Sequence, residues 1–153
     1  MVDFLWKAPD TIADAIAAAN LSALADGSAI SLANCTEINN ESGLFTHCLV
    51  ELNINSTVNV ASAAAFVAVY CVPAVDGTNY PEMTATTNVP PATFLACWLP
   101  FVVRNNIQRQ ASLWFPIPPV KFKLPVQNRL GVAFPTTSTN ITFKYRRANL
   151  KTA

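Results

Sequence analysis

Leu44-Phe45-Thr46-His47-Cys48-Leu49-Val50-Glu51-Leu52-Asn53-Ile54-Asn55 is the stretch that decides the fold class of this chain. Leu44, Thr46, Cys48, Val50, Leu52 and Ile54 fall on one side of an extended backbone, and all but Thr46 are apolar. Phe45, His47, Leu49, Glu51, Asn53 and Asn55 fall on the other side, which is mixed. Successive side chains of a strand point to opposite faces of its sheet. A period of two sustained this long therefore predicts a strand with one core face and one mixed face.

The same reading extends in both directions. Residues 64–72 are apolar on both sides, with Phe66 and Tyr70 on one face and Val67, Val69 and Cys71 on the other. Residues 94–103 behave likewise, with Trp98 opposed to Leu95, Cys97 and Leu99. Strands apolar on both faces are central strands or strands whose outer face is covered. Residues 111–116 carry Leu113 and Phe115 on one face and Trp114 on the other. Residues 121–128 put Phe122, Leu124 and Val126 inward and Lys121, Lys123 and Gln127 outward. Residues 141–147 put Ile141, Phe143 and Tyr145 inward and Thr142, Lys144 and Arg146 outward.

Asp76-Gly77, Pro90-Pro91, Asn105-Asn106, Pro118-Pro119 and Leu130-Gly131 separate these runs with turn chemistry. About seven strands with polar turns and almost no helix predict an all-β fold, a single β-sandwich of jelly-roll or immunoglobulin-like type. The one helix candidate is residues 10–25, where Pro9-Asp10 suits a start and Asp26-Gly27 a stop. The chain divides on this reading into an N-terminal arm with a short helix, residues 1–27, and a β-sandwich domain, residues 28–153. It shows no internal repeat and no linker.

Composition narrows the function. Of the 153 residues 52% are hydrophobic and only 12% charged, about half the usual charged share. A surface so poor in charge is coated by Ser, Thr and Asn or covered by partners. The charges are also segregated. Residues 1–103 hold one basic and all nine acidic residues, a net −8, and residues 104–153 hold nine basic residues, a net +9. Two readings fit: interleaved strands that neutralise each other inside one domain, or a bipolar surface that meets a partner. The basic third carries no nucleic-acid-binding motif, so no nucleic-acid partner is expected.

Catalytic chemistry finds little purchase. His47 is the only histidine, and its neighbour Cys48 points to the opposite sheet face, so no Cys-His device forms there. Cys35, Cys48, Cys71 and Cys97 show no CxxC spacing and read as buried free thiols, with no metal site and no cofactor expected. Asn-x-Ser/Thr sequons at Asn20, Asn34, Asn40, Asn55 and Asn140 read as accidents of a polar β surface. Residues 1–6 lack the pattern of a secretory signal, and the longest apolar runs are broken by Pro73 and Pro100. A soluble chain made in a cytosol, with no membrane partner and no enzymatic activity, is the expectation.

Two features predict protein contact instead. One is the basic outer face of Lys121, Lys123, Lys144 and Arg146, whose like charges would lie side by side if their two strands paired as a hairpin. The other is the arm Val2-Asp3-Phe4-Leu5-Trp6, where Phe4 and Trp6 either fold back on their own sandwich or dock on a neighbour.

Several segments, in order, resemble small structural proteins of tailed bacteriophages. They are Leu24-Ala25-Asp26-Gly27-Ser28, then Val69-Tyr70-Cys71-Val72-Pro73-Ala74-Val75-Asp76-Gly77-Thr78-Asn79-Tyr80 at the end of a central strand. Pro116-Ile117-Pro118-Pro119-Val120-Lys121-Phe122-Lys123-Leu124, Val126-Gln127-Asn128-Arg129-Leu130-Gly131 and Ile141-Thr142-Phe143-Lys144-Tyr145-Arg146 follow. The resemblance covers roughly residues 20–147. It implies a sandwich present in many copies on the virion: a capsid decoration (cement) protein, assembled in the bacterial host cytoplasm. It further implies the major capsid protein as partner and a homo-oligomer, with a trimer favoured. The family offers no catalytic residues. The alternative is a tail- or fibre-associated host-recognition module that binds a receptor or carbohydrate, with Trp114 and Tyr80 as its exposed aromatics.

Overall fold

The alternating stretch becomes β3 (His47–Val60), the longest strand of the computed structural model. The structure describes residues 4–7, 9–60, 62–83 and 87–152, and for residues 4–7, 104–105 and 150–152 the backbone alone. Cys48, Val50, Leu52, Ile54, Val58 and Val60 are buried on its inner face, as the period of two requires. The period fails at its start. Leu44 is exposed and takes a left-handed φ of 45°, while Phe45 turns into the core. The cause is a tight turn, in which the Leu44 N–H donates to the Asn40 carbonyl at 3.0 Å and shifts the chain by one face.

β3 is central in the larger sheet. Along one side runs β11 (Ile141–Thr152), paired from Ile141↔Ile54 to Ala148↔His47. Along the other run β7 (Arg104–Ala111) and the short β8 (Phe115–Pro116). The outer side of β11 is closed by β1 (Phe4–Lys7) and β2 (Ala13–Ile16). Residues read as an arm ahead of the sandwich thus supply its edge, and the arm backbone folds back on its own chain.

Of the short helix expected within residues 10–25 one turn forms, α1 (Ala18–Leu21), and β2 occupies the first half of that stretch. Pairing with β11 buries Ala15 and Ile16, and that burial outweighs the small intrinsic preference of alanine for helix.

The second layer is built on β4 (Phe66–Tyr70), with β6 (Leu95–Pro100) on one side and β10 (Val126–Arg129) on the other. β5 (Val72–Pro73) and β9 (Phe122–Lys123) continue the β4–β10 ladder in the same register after a break: Val72↔Lys123 lies three residues beyond Val69↔Val126 on both strands. Residues 28–38 line the far side of β10 and β9 through bridges at Ala29↔Gln127 and Ile38↔Phe122.

β4 is central and double-sided, as its sequence predicts. Val67 and Val69 enter the main core, and Ala68, Tyr70 and Val72 form a second small core on the outer face under Tyr80, Val89 and Phe94. The architecture is an all-β sandwich.

Three further expectations are corrected. Asn105-Asn106 is no turn but part of β7, opposite Asn59 and Val58, because the long β3 needs a partner beyond its bulge. Residues 111–116 are not one strand. The Ser112 hydroxyl accepts from the Val50 N–H at 3.0 Å, and the chain bulges there, so Leu113 is turned out to 89% exposure while Phe115 is buried. Gln127 does not face solvent: buried, it accepts from the Tyr70 hydroxyl at 3.0 Å and donates to the Gly27 carbonyl at 2.9 Å.

Candidate docking surface

The charge split of the sequence resolves inside the chain. Three ion pairs among the described residues, Asp10–Arg147, Glu37–Lys121 at 3.4 Å and Glu51–Arg109 at 3.5 Å, each join the acidic first part to the basic last part. The fold accounts for this, since β11, β7 and β9 lie against strands from the acidic region. Arg147 also donates to the Asn39 carbonyl at 2.6 Å and sits 4.7 Å over the Phe45 ring. The exposed Glu51–Arg109 pair adds little stability, about 0–1 kcal/mol.

The four basic residues named from the sequence do not form one patch. Lys121 and Lys123 sit at β9 in one layer, and Lys144 and Arg146 lie on β11 in the other, so the hairpin pairing does not occur. Lys121 meets Glu37, while Lys123 donates to the Leu32 carbonyl at 2.8 Å and lies 4.6 Å over the Tyr80 ring. Arg146 donates to the Asp10 carbonyl at 3.1 Å, and Lys144 pairs across the sheet with Glu51 and Asp14. Lys144 and Arg146 do share a groove of about 260 Å³ with Ile12, Leu49, Glu51 and Tyr145. The Phe4 and Trp6 side chains lie outside the described residues; their backbone pairs with residues 150 and 152 of β11.

The loop motif Asp76-Gly77-Thr78-Asn79-Tyr80 is structural. The Asp76 carboxylate accepts from the Thr78 and Asn79 N–H groups at 2.9 and 2.7 Å and from Asn79 Nδ2 at 2.7 Å. These bonds hold its carboxyl down at about 2. Because the folded value is depressed, the loop keeps their contribution above the ordinary carboxylate range and loses it as the pH falls through about 2. Tyr80 anchors the loop end by donating to Glu37 at 2.9 Å. His47 contacts the Thr46 hydroxyl at 2.9 Å through Nδ1 and lines none of the grooves described here. No helix among the described residues is long and apolar enough to cross a membrane.

What the sequence reading missed is the open side of the sandwich, where β6 ends one layer and β7 and β8 end the other. Trp98 on β6, Val102 and Val103 in the β6–β7 connection, Ile107 on β7, and Leu113 and Trp114 ahead of β8 are exposed, Trp98 at 63%. Between β6 and β8 lies a groove of about 310 Å³ lined by Cys71, Pro73, Phe94, Leu95, Phe115 and Pro116, among others, with no charged residue in its wall. Exposed apolar residues gathered on one side mark contact surfaces, whereas singly scattered ones need no explanation. The uncharged run from Met83 to Val103 was the available signal. Strand periodicity concealed it by assigning the same residues to a core.

No family model, no curated protein and no solved structure aligns with this chain.

Burial disfavours the thiolate form of all four cysteines. Burial pushes the Cys35, Cys48 and Cys71 thiols up to about 12 and Cys97 to about 11, and the Ser112 hydrogen bond pulls Cys97 back only in part. Only the thiolate attacks disulfide reagents. At pH 8 the folded protein is therefore expected to react with Ellman's reagent ~100-fold more slowly than the chain in denaturant. Rapid stoichiometric labelling of one thiol in the native protein would contradict this placement.

Proposed function

We propose that this chain is a non-catalytic virion structural protein, a capsid decoration (cement) protein that binds and stabilises the major capsid shell of a tailed bacteriophage. The observation that carries the reading is the uncharged groove between β6 and β8, with Leu113 and Trp114 held out on a bulge ahead of β8. A protein with so few charges that leaves two tryptophans and four large aliphatic residues exposed on and between β6, β7 and β8 is built to have that region covered. The resemblance of the ordered segments to phage virion proteins supplies the partner. The host-recognition alternative draws less support, because Tyr80, one of its two aromatics, is half-buried with its hydroxyl committed to Glu37.

The test is co-sedimentation with empty shells of the phage concerned. The Leu113→Ala Trp114→Ala double variant is expected to bind about 30-fold more weakly than the unaltered chain, the loss that follows removal of one aromatic anchor. Unaltered occupancy by that variant, or binding of the unaltered protein to host cells and not to shells, overturns the reading.

A further inference from the structure

We infer that β6 is a self-pairing edge, through which two copies of this chain join antiparallel about a two-fold axis at Trp98. Among the described residues β6 has β4 on one side and no strand on the other. Its register is Phe66↔Pro100, Val67↔Leu99, Ala68↔Trp98 and Val69↔Cys97, and the Phe101 N–H donates to the Ala65 carbonyl at 3.0 Å. Antiparallel ladders alternate, so Leu99 and Cys97 direct their backbone groups at β4, while Trp98 and Pro100 direct theirs outward. Proline thus stands where its missing N–H costs the sheet nothing, the position it takes in edge strands. Trp98 keeps an outward donor and an outward acceptor. A register centred on Trp98 lets each copy's Trp98 N–H donate to the carbonyl of the partner's Trp98.

The occupant is a second copy for reasons of charge and shape. Natural edges are guarded against pairing by lysines and other charges. β6 has none, and no charged residue occurs between Met83 and Val103, so a copy meets no repulsion. β7, the other edge on this side, carries Arg104 and Arg109 in its sequence, the kind of guard that β6 lacks. The side chains agree. The Phe66 ring already stands edge-on to Trp98, with centroids 6.5 Å apart. Two-fold pairing adds the partner's indole directly across, joining both pairs of rings into one aromatic cluster on the outer face. This inference goes beyond the capsid reading and holds whether or not a shell is the other partner.

The register gives a specific test. Sedimentation velocity of the full chain is expected to show a dimer. Trp98→Glu and Trp98→Lys, each placing like charges opposite one another at the axis, are expected to weaken the dimer ~100-fold. Mixing the two variants, one of them tagged, is expected to return dimers that contain one of each, because position 98 faces position 98. Circular dichroism checks that both variants fold. A monomeric unaltered chain, a dimer or trimer that either charge leaves intact, or a mixture that fails to pair overturns the inference. Shell binding by a monomeric unaltered chain would sink the β6 pairing and leave the capsid reading standing.

Discussion

Phe122→Ala is expected to lower the free energy of unfolding by about 3–5 kcal/mol, the range for deleting a buried aromatic ring. Phe122 is fully buried in β9, where three segments meet. Its N–H donates to the Ile38 carbonyl at 3.1 Å, and the Ile38 N–H donates to the Phe122 carbonyl at 2.9 Å. Across the other side it pairs with Pro73 of β5. Alanine preserves those backbone bonds and removes the ring, so the loss reports packing alone. The neighbouring strands are tied by hydrogen bonds and cannot close the void, which places the cost towards the upper end. In a domain of this size the melting temperature should fall by about 10 °C. A loss below about 1 kcal/mol would mean that the ring is not buried as described.

Asn40→Ala is expected to cost about 3 kcal/mol, from three hydrogen bonds, two of them buried, lost at about 1 kcal/mol each. The Asn40 side chain is fully buried, and its Nδ2 donates to the Phe45 and Pro118 carbonyls, both at 2.8 Å. Its Oδ1 accepts from the Phe45 N–H at 3.0 Å. One side chain thus closes the turn that leads into β3 and ties it to the Pro118 loop. Asn40→Asp should be worse than alanine, since it removes both donors and sets a carboxylate against two carbonyls. Urea denaturation measures both variants, and equal stability of Asn40→Ala and the unaltered chain would refute the assigned role. The same burial leaves the Asn40 sequon without an accessible amide.

Both residues lie in parts of the fold that the sequence made legible to different degrees. The alternation of Lys121, Phe122, Lys123 and Leu124 points Phe122 inward, and the strand fulfils that pattern. Periodicity reports which face of a strand is apolar, and burial follows from it directly. Asn40 carried no such mark. A buried amide is recognisable only when its partners are known, and one of them, Pro118, lies 78 positions further along the chain.

The open side shows the same division. From the sequence, Leu113 pairs with Phe115 on one face, and Trp98 belongs to a buried strand. A bulge set by Ser112 reverses the first expectation, and the edge position of β6 overturns the second. Neither the bulge nor the edge leaves a signature in residue type, because both depend on which strand lies alongside. The basic residues teach the converse lesson. They were legible as a cluster along the chain, yet the fold distributes them over two layers beside acidic partners.

Alternation alone specifies an all-β sandwich, because a period of two in apolar residues admits only strands with a shared core between them. The sequence by itself also determines that the halves differ in charge and that turn residues punctuate the strands. The tertiary structure alone decided which strand neighbours which. With that it decided that Phe4–Lys7 and Ala13–Ile16 form an edge, that opposite charges meet inside one chain, and that the uncharged stretch around Trp98 lies open. The physical reason is that side-chain alternation is a local property of the backbone, whereas an edge, a bulge or an ion pair exists only once distant strands have chosen their partners.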